Sequence, residues 1–214
     1  MESMSSYLSS CLKGNQAKFV TLCLALFLSS ISVNAVAERI LVVGDSLSAA
    51  YNIPIESGWV ALLANDLSPQ YEVVNASVSG ETTGGGLARL PALLEEQNPD
   101  WVIIELGGND GLRGFPIQLI RNNLNRMGEL VEASGAKPLY LGIRIPPNYG
   151  ARYTDAFTAI FQQVADERAA PYHDLFRQEF YQDDSLLQND GIHPSKEAQT
   201  LIRDQVKSFL EEAL

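Results

Sequence analysis

The sequence predicts an α/β domain, a three-layer α/β/α sandwich around a five-stranded parallel sheet. Its 214 residues suit a single domain. From Arg39 onward, short apolar runs alternate with longer segments whose apolar residues recur at helical spacing. Strict alternation of strands and helices gives parallel strands joined by right-handed crossovers, so we expect helices on both faces of the sheet. For the strand order, which periodicity alone does not determine, we expect 2-1-3-4-5.

Five segments have the composition of strands that are buried on both faces. Their apolar residues are continuous rather than alternating, as in a parallel sheet that helices cover on both sides. In chain order the predicted strands are residues 40–43, 71–75, 101–104, 138–143 and, with a weaker pattern, 172–176.

Four amphipathic helical faces accompany these strands. They comprise Leu87, Leu90 and Leu94; Ile117, Ile120, Leu124, Met127 and Val131; Phe157, Ile160, Phe161 and Val164; and Ala198, Leu201, Ile202, Val206 and Phe209. In open sheets of this kind, ligands bind beyond the carboxyl ends of the strands. The segments that follow the strands are therefore expected to carry the chemistry.

The first 37 residues have the pattern of a secretory signal peptide. Two lysines precede an apolar run at residues 19–31, and a small-x-small cleavage pattern ends at Ala37. The run is too short for a typical membrane span. We therefore expect a signal peptide at residues 1–37, cleaved near Ala37, and a periplasmic or secreted domain at residues 38–214. A retained N-terminal anchor is the alternative.

Composition excludes several classes of function. The chain has 15 Lys and Arg against 26 Asp and Glu, a formal net charge of −11, which disfavours binding to nucleic acids and to anionic membranes. Its two cysteines, Cys11 and Cys23, both precede the predicted cleavage site, so a disulfide scaffold and a cysteine metal site are not expected. We expect a monomer with no nucleic-acid partner and no stable membrane insertion once the signal is removed.

The segment after the first predicted strand contains a candidate nucleophile. Residues 44–47 read Gly-Asp-Ser-Leu. A serine that directly follows a strand and leads toward a helix can present its hydroxyl above the sheet, although Ser46 could equally be a turn or N-cap residue. Position 48 is Ser rather than Gly, so the Gly-x-Ser-x-Gly elbow of α/β-hydrolases does not apply.

The next two strands are followed by glycine-rich segments. Residues 75–86 lack both the Gly-Lys-Ser/Thr ending and the Gly-x-Gly-x-x-Gly pattern of nucleotide sites. The other use of such a loop is to donate a backbone N–H to an oxyanion. Within residues 107–111, Asn109 could point its amide across the sheet edge toward Ser46 and Gly80. Asparagine in such a loop is otherwise a turn former.

His173 and His193 are the two histidines of the chain, so an imidazole base must be one of them. His193 has Asp190 three residues upstream in a tight loop, and this carboxylate can reach its ring N–H. For His173, in the weak fifth strand, we expect a structural or surface role. Asp110, Asp190 and His193 are acceptable metal ligands by type, but no His-x-x-x-His or Cys pair supports a metal site, and none is expected.

Together these loops resemble the GDSL, or SGNH, hydrolase family. The ordered blocks of that family are Gly-Asp-Ser-Leu, an isolated glycine, Gly-x-Asn-Asp and Asp-x-x-His. They match residues 44–47, Gly80, residues 107–110 and residues 190–193. The further segments 74–77, 86–94, 105–115 and 144–150 are similar to the bacterial periplasmic multifunctional esterases, a branch that includes thioesterases, lysophospholipases and arylesterases.

The resemblance implies a flavodoxin-like fold, a serine hydrolase mechanism without a cofactor, and a role for each matching residue. Ser46 would be the nucleophile, His193 the general base and acid, and Asp190 the residue that orients the imidazole. The implied oxyanion donors are the N–H groups of Ser46 and Gly80 and the side-chain amide of Asn109. Asp45, although part of the motif, is expected to support the loop by hydrogen bonds.

The implied substrates are small-molecule carboxylic esters and thioesters with short to medium acyl or aryl groups; lysophospholipids are a further candidate. Residues that could line a groove for the acyl chain are Leu112, Phe115, Ile145, Pro146 and Tyr149, which could instead pack within their own loops. Two other functions remain open: removal of O-acetyl groups from carbohydrates with the same site, and non-catalytic binding in the cell envelope. The intact Ser46, Asp190 and His193 argue against the second.

Overall fold

The computed structural model describes residues 37–175 and 183–214. The predicted signal peptide lies outside these residues except for Ala37, and so does Phe176 at the end of the fifth predicted strand. Within the described ranges, no helix combines the length and the hydropathy that crossing a membrane requires.

The described chain contains a five-stranded sheet in the order β2-β1-β3-β4-β5, and every neighbouring pair is parallel. The predicted fold class and strand order are therefore confirmed. The strands are β1 (Glu38–Gly44), β2 (Tyr71–Asn75), β3 (Trp101–Glu105), β4 (Lys137–Gly142) and β5 (Tyr172–Asp174).

The first strand is longer than its apolar run. It begins two residues before the predicted segment 40–43 and ends one residue after it. Glu38 and Arg39 pair with β2 although their side chains are polar, and Arg39 also forms a 2.7 Å ion pair with Glu72 on that strand. Backbone pairing needs no apolar side chain, so hydrophobicity alone underestimates the length of this strand.

The other strand ends differ by smaller amounts. β3 extends by one residue to Glu105, and β4 lies one residue earlier than the predicted 138–143. β5 is shorter than predicted, because its pairing with β4 ends at Asp174. Leu175, which follows it, is buried outside the strand.

Helices cover the sheet and bury most of the predicted apolar faces. They are α1 (Trp59–Leu67), α2 (Thr83–Gln97), α3 (Gly108–Leu112), α4 (Ile117–Ala133), α5 (Ala151–Glu167) and α6 (Ala198–Ala213). Short 3₁₀ helices span Ile55–Ser57, Pro147–Tyr149 and Asp184–Leu186. Leu87 and Ile117 are half-buried, and Leu201, at 47%, is the one exposed residue of the predicted faces, whereas Ala198, Ile202 and Val206 of the same helix are buried.

Helix α1 was not predicted from the sequence. It has nine residues and buries Trp59, Val60 and Leu63, which is too short an apolar pattern to stand out from the sequence around it. Its first N–H donates to Gln199 Oε1 at 2.9 Å, and this bond ties α1 to α6. The fold thus stabilises a helix that its own periodicity does not reveal.

The last part of the glycine-rich segment after β2, residues 83–86, forms the first turn of α2. Thr82 caps this helix, with its hydroxyl accepting a hydrogen bond from the Gly85 N–H at 3.2 Å. A Cβ at Gly86 would overlap Cδ1 of the buried Leu106. A Cβ at Gly84 would meet nothing nearer than Asn123 Nδ2, at 3.7 Å. Gly86 therefore permits close packing of α2 against the segment that follows β3.

Two alanine substitutions in this helix turn test that packing. Gly86→Ala is expected to lower the free energy of unfolding by roughly 1–3 kcal/mol, because the added methyl group overpacks the core at Leu106. Gly84→Ala is the matched control and should leave it unchanged or raise it by up to about 1 kcal/mol. Urea denaturation of both variants measures the difference. Equal stability of the two proteins would contradict the packing role of Gly86.

Candidate active site

The segment after β1 places a serine at the carboxyl edge of the sheet. Buried Asp45 follows β1, and Ser46 comes next in a turn. The N–H of Ala49 donates to the Asp45 carbonyl at 3.0 Å and closes that turn. The sequence suggested that the serine leads toward a helix, but α1 begins only at Trp59. The Ser46 turn, residues 45–48, is thus an irregular loop rather than a strand-to-helix elbow.

A hydrogen-bonded chain links three of the predicted site residues. Nε2 of His193 lies 2.9 Å from Ser46 Oγ, and Nδ1 of His193 lies 2.7 Å from Asp190 Oδ2. When Nδ1 carries the proton and donates it to Asp190, Nε2 can accept the serine proton. The structure therefore brings together the predicted nucleophile, base and orienting acid, although Ser46 is 147 residues from His193 in the chain.

The carboxylate at the end of this chain is held by its own loop. Asp190 Oδ1 accepts hydrogen bonds from the N–H groups of Ile192, at 2.9 Å, and His193, at 3.0 Å. Partial burial works against ionisation of Asp190. The hydrogen bonds from the His193 backbone and ring and from Ile192 outweigh it and hold the pKa of this carboxyl below its ordinary value. Asp190 is therefore available as an anionic acceptor for the imidazole.

An aromatic ring that sequence reasoning missed packs against the imidazole. The rings of Tyr51 and His193 have centroids 4.2 Å apart and an interplanar angle of 30°. The carbonyls of Tyr51 and Pro194 each accept a 3.0 Å hydrogen bond from Nε2 of Gln188, which joins the two loops. Only the folded chain brings these loops together, and neither Tyr51 nor Gln188 belongs to a recognisable motif.

The predicted oxyanion donors occupy different surroundings. Asn109 lies in the short helix α3, and its Nδ2 donates to Asp45 Oδ2 at 3.0 Å. Gly80 is exposed and has φ of +81°, a conformation that favours glycine. Its carbonyl accepts a 3.3 Å hydrogen bond from Arg113. Asn109 lines the cavity at Ser46, whereas Gly80 is outside the set of residues that line it.

Asp45 connects the Ser46 turn with α3. Its carboxylate accepts the N–H of Leu47 at 3.0 Å as well as the Asn109 amide. Burial raises the pKa of Asp45 to about 6, and nearby Asp110 adds to the rise, while the hydrogen bonds from Leu47 and Asn109 and the charge of His193 oppose it. These contacts agree with the expected supporting role of Asp45.

A second buried carboxylate joins α3 to α2. Asp110 accepts the N–H of Thr83 at 2.8 Å and the Thr83 hydroxyl at 2.6 Å. Asn123 donates to the same hydroxyl at 2.9 Å. This network fixes the start of α2, just after Gly80, relative to Asn109. Within residues 37–175 and 183–214, no group of three His, Cys, Asp or Glu side chains is arranged to hold a metal ion.

A mainly apolar cavity opens at Ser46. It is lined by Asp45, Ser46, Leu47, Gly108, Asn109, Leu112, Ile143, Arg144, Ile145, Pro146, Gly191, Ile192 and His193. Leu112, Ile145 and Pro146 were predicted to line such a groove, and the structure places them there. Apolar walls beside a nucleophile suit an acyl or aryl group.

The other two predicted groove residues do not line this cavity. Phe115 packs against the core, and its carbonyl accepts a 2.6 Å hydrogen bond from the Tyr153 hydroxyl. Tyr149 lines a separate surface groove with Tyr153, and its hydroxyl donates to the Leu112 carbonyl at 2.8 Å. Both residues brace the loops behind the cavity wall. These positions favour the alternative that the sequence left open, packing within their own loops, because the sequence does not show which way a loop side chain turns.

The second histidine lies apart from the serine. His173 is in β5, and its ring stacks on Phe209 of α6, with centroids 5.5 Å apart. It is not among the residues that line the cavity. This position agrees with the structural role expected for it.

The fold and this site define a serine hydrolase: a three-layer α/β/α domain that carries linked serine, histidine and aspartate side chains at the carboxyl edge of a parallel sheet. The model of the GDSL-like lipase/acylhydrolase family matches residues 42–201. The chain belongs to this family and is a hydrolase that acts on ester bonds. The resemblance found in the sequence is thereby confirmed.

Several characterised proteins are similar to the chain. It is 46% identical over 177 residues to thioesterase 1/protease 1/lysophospholipase L1 of Escherichia coli K12, covering 83% of this chain and 85% of that protein. It is 44% identical over 192 residues to an arylesterase of Vibrio mimicus, covering 88% and 96%. The crystal structure of the psychrotrophic esterase EstA from Pseudoalteromonas, inhibited by monoethylphosphonate, has a TM-score of 0.78 and 43% identity, covering 82% of this chain and 97% of EstA.

Proposed function

We propose that the protein is a serine esterase that hydrolyses carboxylic esters and thioesters through an acyl-enzyme intermediate. The observation that carries this proposal is the chain of short contacts from Ser46 through His193 to Asp190. Ser46 and His193 also line an apolar cavity. The names thioesterase, lysophospholipase and arylesterase belong to the relatives, and they support the same substrate class here.

The contacts support a two-step reaction. Ser46 Oγ attacks the carbonyl carbon while its proton moves to Nε2 of His193, and Asp190 stabilises the resulting imidazolium. The tetrahedral intermediate then collapses, and the imidazolium returns the proton to the departing alcohol or thiol. In the second step, water attacks the acyl-enzyme in the same way and gives a proton to His193. The carboxylic acid then leaves, and Ser46 regains its hydrogen.

The negative charge that develops on the carbonyl oxygen needs donors. We assign this role to the N–H groups of Ser46 and Gly80 and to the amide of Asn109. The position of Asn109 beside Ser46 in the cavity supports its part in the assignment. The bond from Asn109 to Asp45, and the tie between Asp110 and Thr83, hold the donor-bearing segments in place before substrate binds, and such preorganised donors stabilise a developing oxyanion strongly.

The cavity walls favour acyl chains over sugars. Leu47, Leu112, Ile143 and Ile145 form an apolar lining against which a short to medium acyl or aryl group would pack. Lysophospholipids fit the same chemistry as a further substrate class. The apolar lining disfavours O-deacetylation of carbohydrates, because the hydroxyl groups of a sugar would find few hydrogen-bond partners in this cavity.

We also propose that residues 1–37 act as a signal peptide cleaved near Ala37, and that the remaining domain is a periplasmic or secreted monomer. The lysines ahead of the apolar run 19–31 and the small residues at the cleavage site support export. N-terminal sequencing of the protein from the periplasm or the medium is expected to give a chain beginning at Glu38. Intact Met1 in that fraction would contradict cleavage.

The identity of the nucleophile is tested by substitution and labelling. Ser46→Ala should lower kcat for p-nitrophenyl esters and acyl thioesters by more than about 10³-fold and leave the melting temperature nearly unchanged, because only a small hydroxyl is lost. An organophosphonate should label wild type at Ser46, as found by mass spectrometry. Ser79→Ala, at an exposed serine beside Gly80, is the control and should remain active. Labelling at Ser48 or Ser79 would overturn the assignment.

The role of Asn109 is tested by separating kcat from KM. If its amide donates to the oxyanion, Asn109→Ala should lower kcat by roughly 10²–10³-fold with little change in KM. Asn123→Ala is the matched control, because it removes an amide donor from the supporting network around Thr83 without touching the cavity. It should lower the melting temperature and spare kcat. Wild-type kcat in Asn109→Ala would mean that this residue only shapes α3.

A further inference from the structure

A carboxyl group that the proposed reaction does not use lies beneath the Ser46 turn. Glu105 is the last residue of β3 and is completely buried. Its Oε2 accepts the hydroxyl of Ser48 at 2.7 Å and the N–H of Asp45 at 3.3 Å. Ser46 lies between these two partners in the chain, so one buried oxygen holds the turn on both sides of the serine.

The first glycine of the Gly-Asp-Ser-Leu motif makes room for this arrangement. A Cβ at Gly44 would lie 2.7 Å from Glu105 Oε2 and 2.9 Å from the Cβ and Oγ of Ser48. Gly44 also pairs directly with Glu105 across β1 and β3. The close approach of the carboxyl to the turn therefore depends on the missing side chain at position 44.

The surroundings of Glu105 favour its neutral form. No ion pair to its carboxyl exists among the residues that the structure describes, and within them its Oε1 is buried without a hydrogen-bond partner. Burial raises the pKa of Glu105 well above its ordinary value, the charge of Asp45 raises it further, and the bonds from Ser48 and the Asp45 N–H oppose the rise. A carboxylic acid keeps a carbonyl oxygen for both donors without burying a net charge.

We propose that Glu105 is a positioning residue that holds the Ser46 turn in place for attack. This inference rests on the proposed function, in which Ser46 is the nucleophile. The carboxyl does not touch substrate, and it acts through the hydroxyl of Ser48 and the backbone of Asp45. A small displacement of a nucleophile is enough to reduce the rate of the chemical step strongly.

The proposal predicts a loss of activity as the pH rises through the pKa of Glu105. Ionisation of Glu105 would place a second negative charge beside Asp45, whose own carboxyl interacts with His193 and Asp110. A buried acid with a raised pKa stabilises the fold while it is protonated, and this contribution disappears as the pH rises through that pKa. The turn is therefore expected to loosen, and kcat to fall, as Glu105 ionises.

Two substitutions at position 105 separate positioning from packing. Glu105→Gln keeps a carbonyl acceptor and cannot ionise, so near neutral pH its kcat should stay within about tenfold of wild type. Glu105→Leu removes the acceptor and should lower kcat, and the rate of phosphonate labelling at Ser46, by about ten- to a hundredfold with little change in KM. The fall of kcat that follows ionisation of Glu105 in wild type should be absent in Glu105→Gln, and pH profiles of both proteins measure it.

Ser48→Ala provides a second route to the same contact. It leaves the carboxyl in place and removes its hydroxyl partner, so it should also lower kcat and slow labelling of Ser46. If Glu105→Leu does not fold, this variant decides the matter. Wild-type kcat in Ser48→Ala, or in a folded Glu105→Leu whose melting temperature alone is reduced, would overturn the proposal.

Two further results distinguish the possible failures. A fall of kcat with rising pH that is the same in wild type and Glu105→Gln would overturn the proposal, because a neutral acceptor would then not be what the turn requires. A loss of kcat in Glu105→Gln as large as in Glu105→Leu would overturn it for the same reason. If wild type neither hydrolyses any ester nor labels at Ser46, the proposed function itself fails. If wild type is active and the variants keep wild-type kcat, only the role of Glu105 is overturned.

Discussion

The parallel pairing of β1 with β3 is the constraint on which the site depends. Gly44 pairs with Glu105, so the segments that follow the two strands leave the sheet side by side. Asp45 on one segment can then accept the amide of Asn109 on the other at 3.0 Å. Because crossover helices separate neighbouring parallel strands in the chain, the sheet brings together residues that are 64 positions apart. The contacts of Glu105 with the Ser46 turn depend on the same pairing of the two strands.

Hydrophobic continuity made the architecture predictable and left its boundaries uncertain. The central strands are so uniformly apolar that their number and parallel direction followed from the alternation with helices, whereas their order was an expectation that periodicity alone does not give. The polar start of β1 was missed because Glu38 and Arg39 contribute backbone pairing and not burial. Helix α1 was missed for the opposite reason: with only three buried residues, Trp59, Val60 and Leu63, it is stabilised by its contacts with the rest of the fold.

The predictable part of the site is the part that is local in sequence or recurs as a motif. The spacing of Asp190 and His193 already allowed the carboxylate to reach the ring, and the motif order supplied Ser46. Contacts that depend on how loops fold in space have no corresponding pattern in the sequence. The ring of Tyr51 beside His193 belongs to this class, and so does the turn of Phe115 away from the cavity.

Three acidic residues around one serine show how burial divides their roles. Asp190 is the most exposed, accepts three hydrogen bonds from its own loop, and stays anionic to hold the imidazole. Asp45 is buried but accepts two donors, and its pKa rises only to about 6. Glu105 is buried beside Asp45, and burial, with the charge of Asp45, raises its pKa well above the ordinary value. Two adjacent buried anions would repel each other in a medium that screens charge poorly. A proton on one of the two carboxyls removes this repulsion, and the burial of Glu105 beside the charge of Asp45 favours that proton on Glu105.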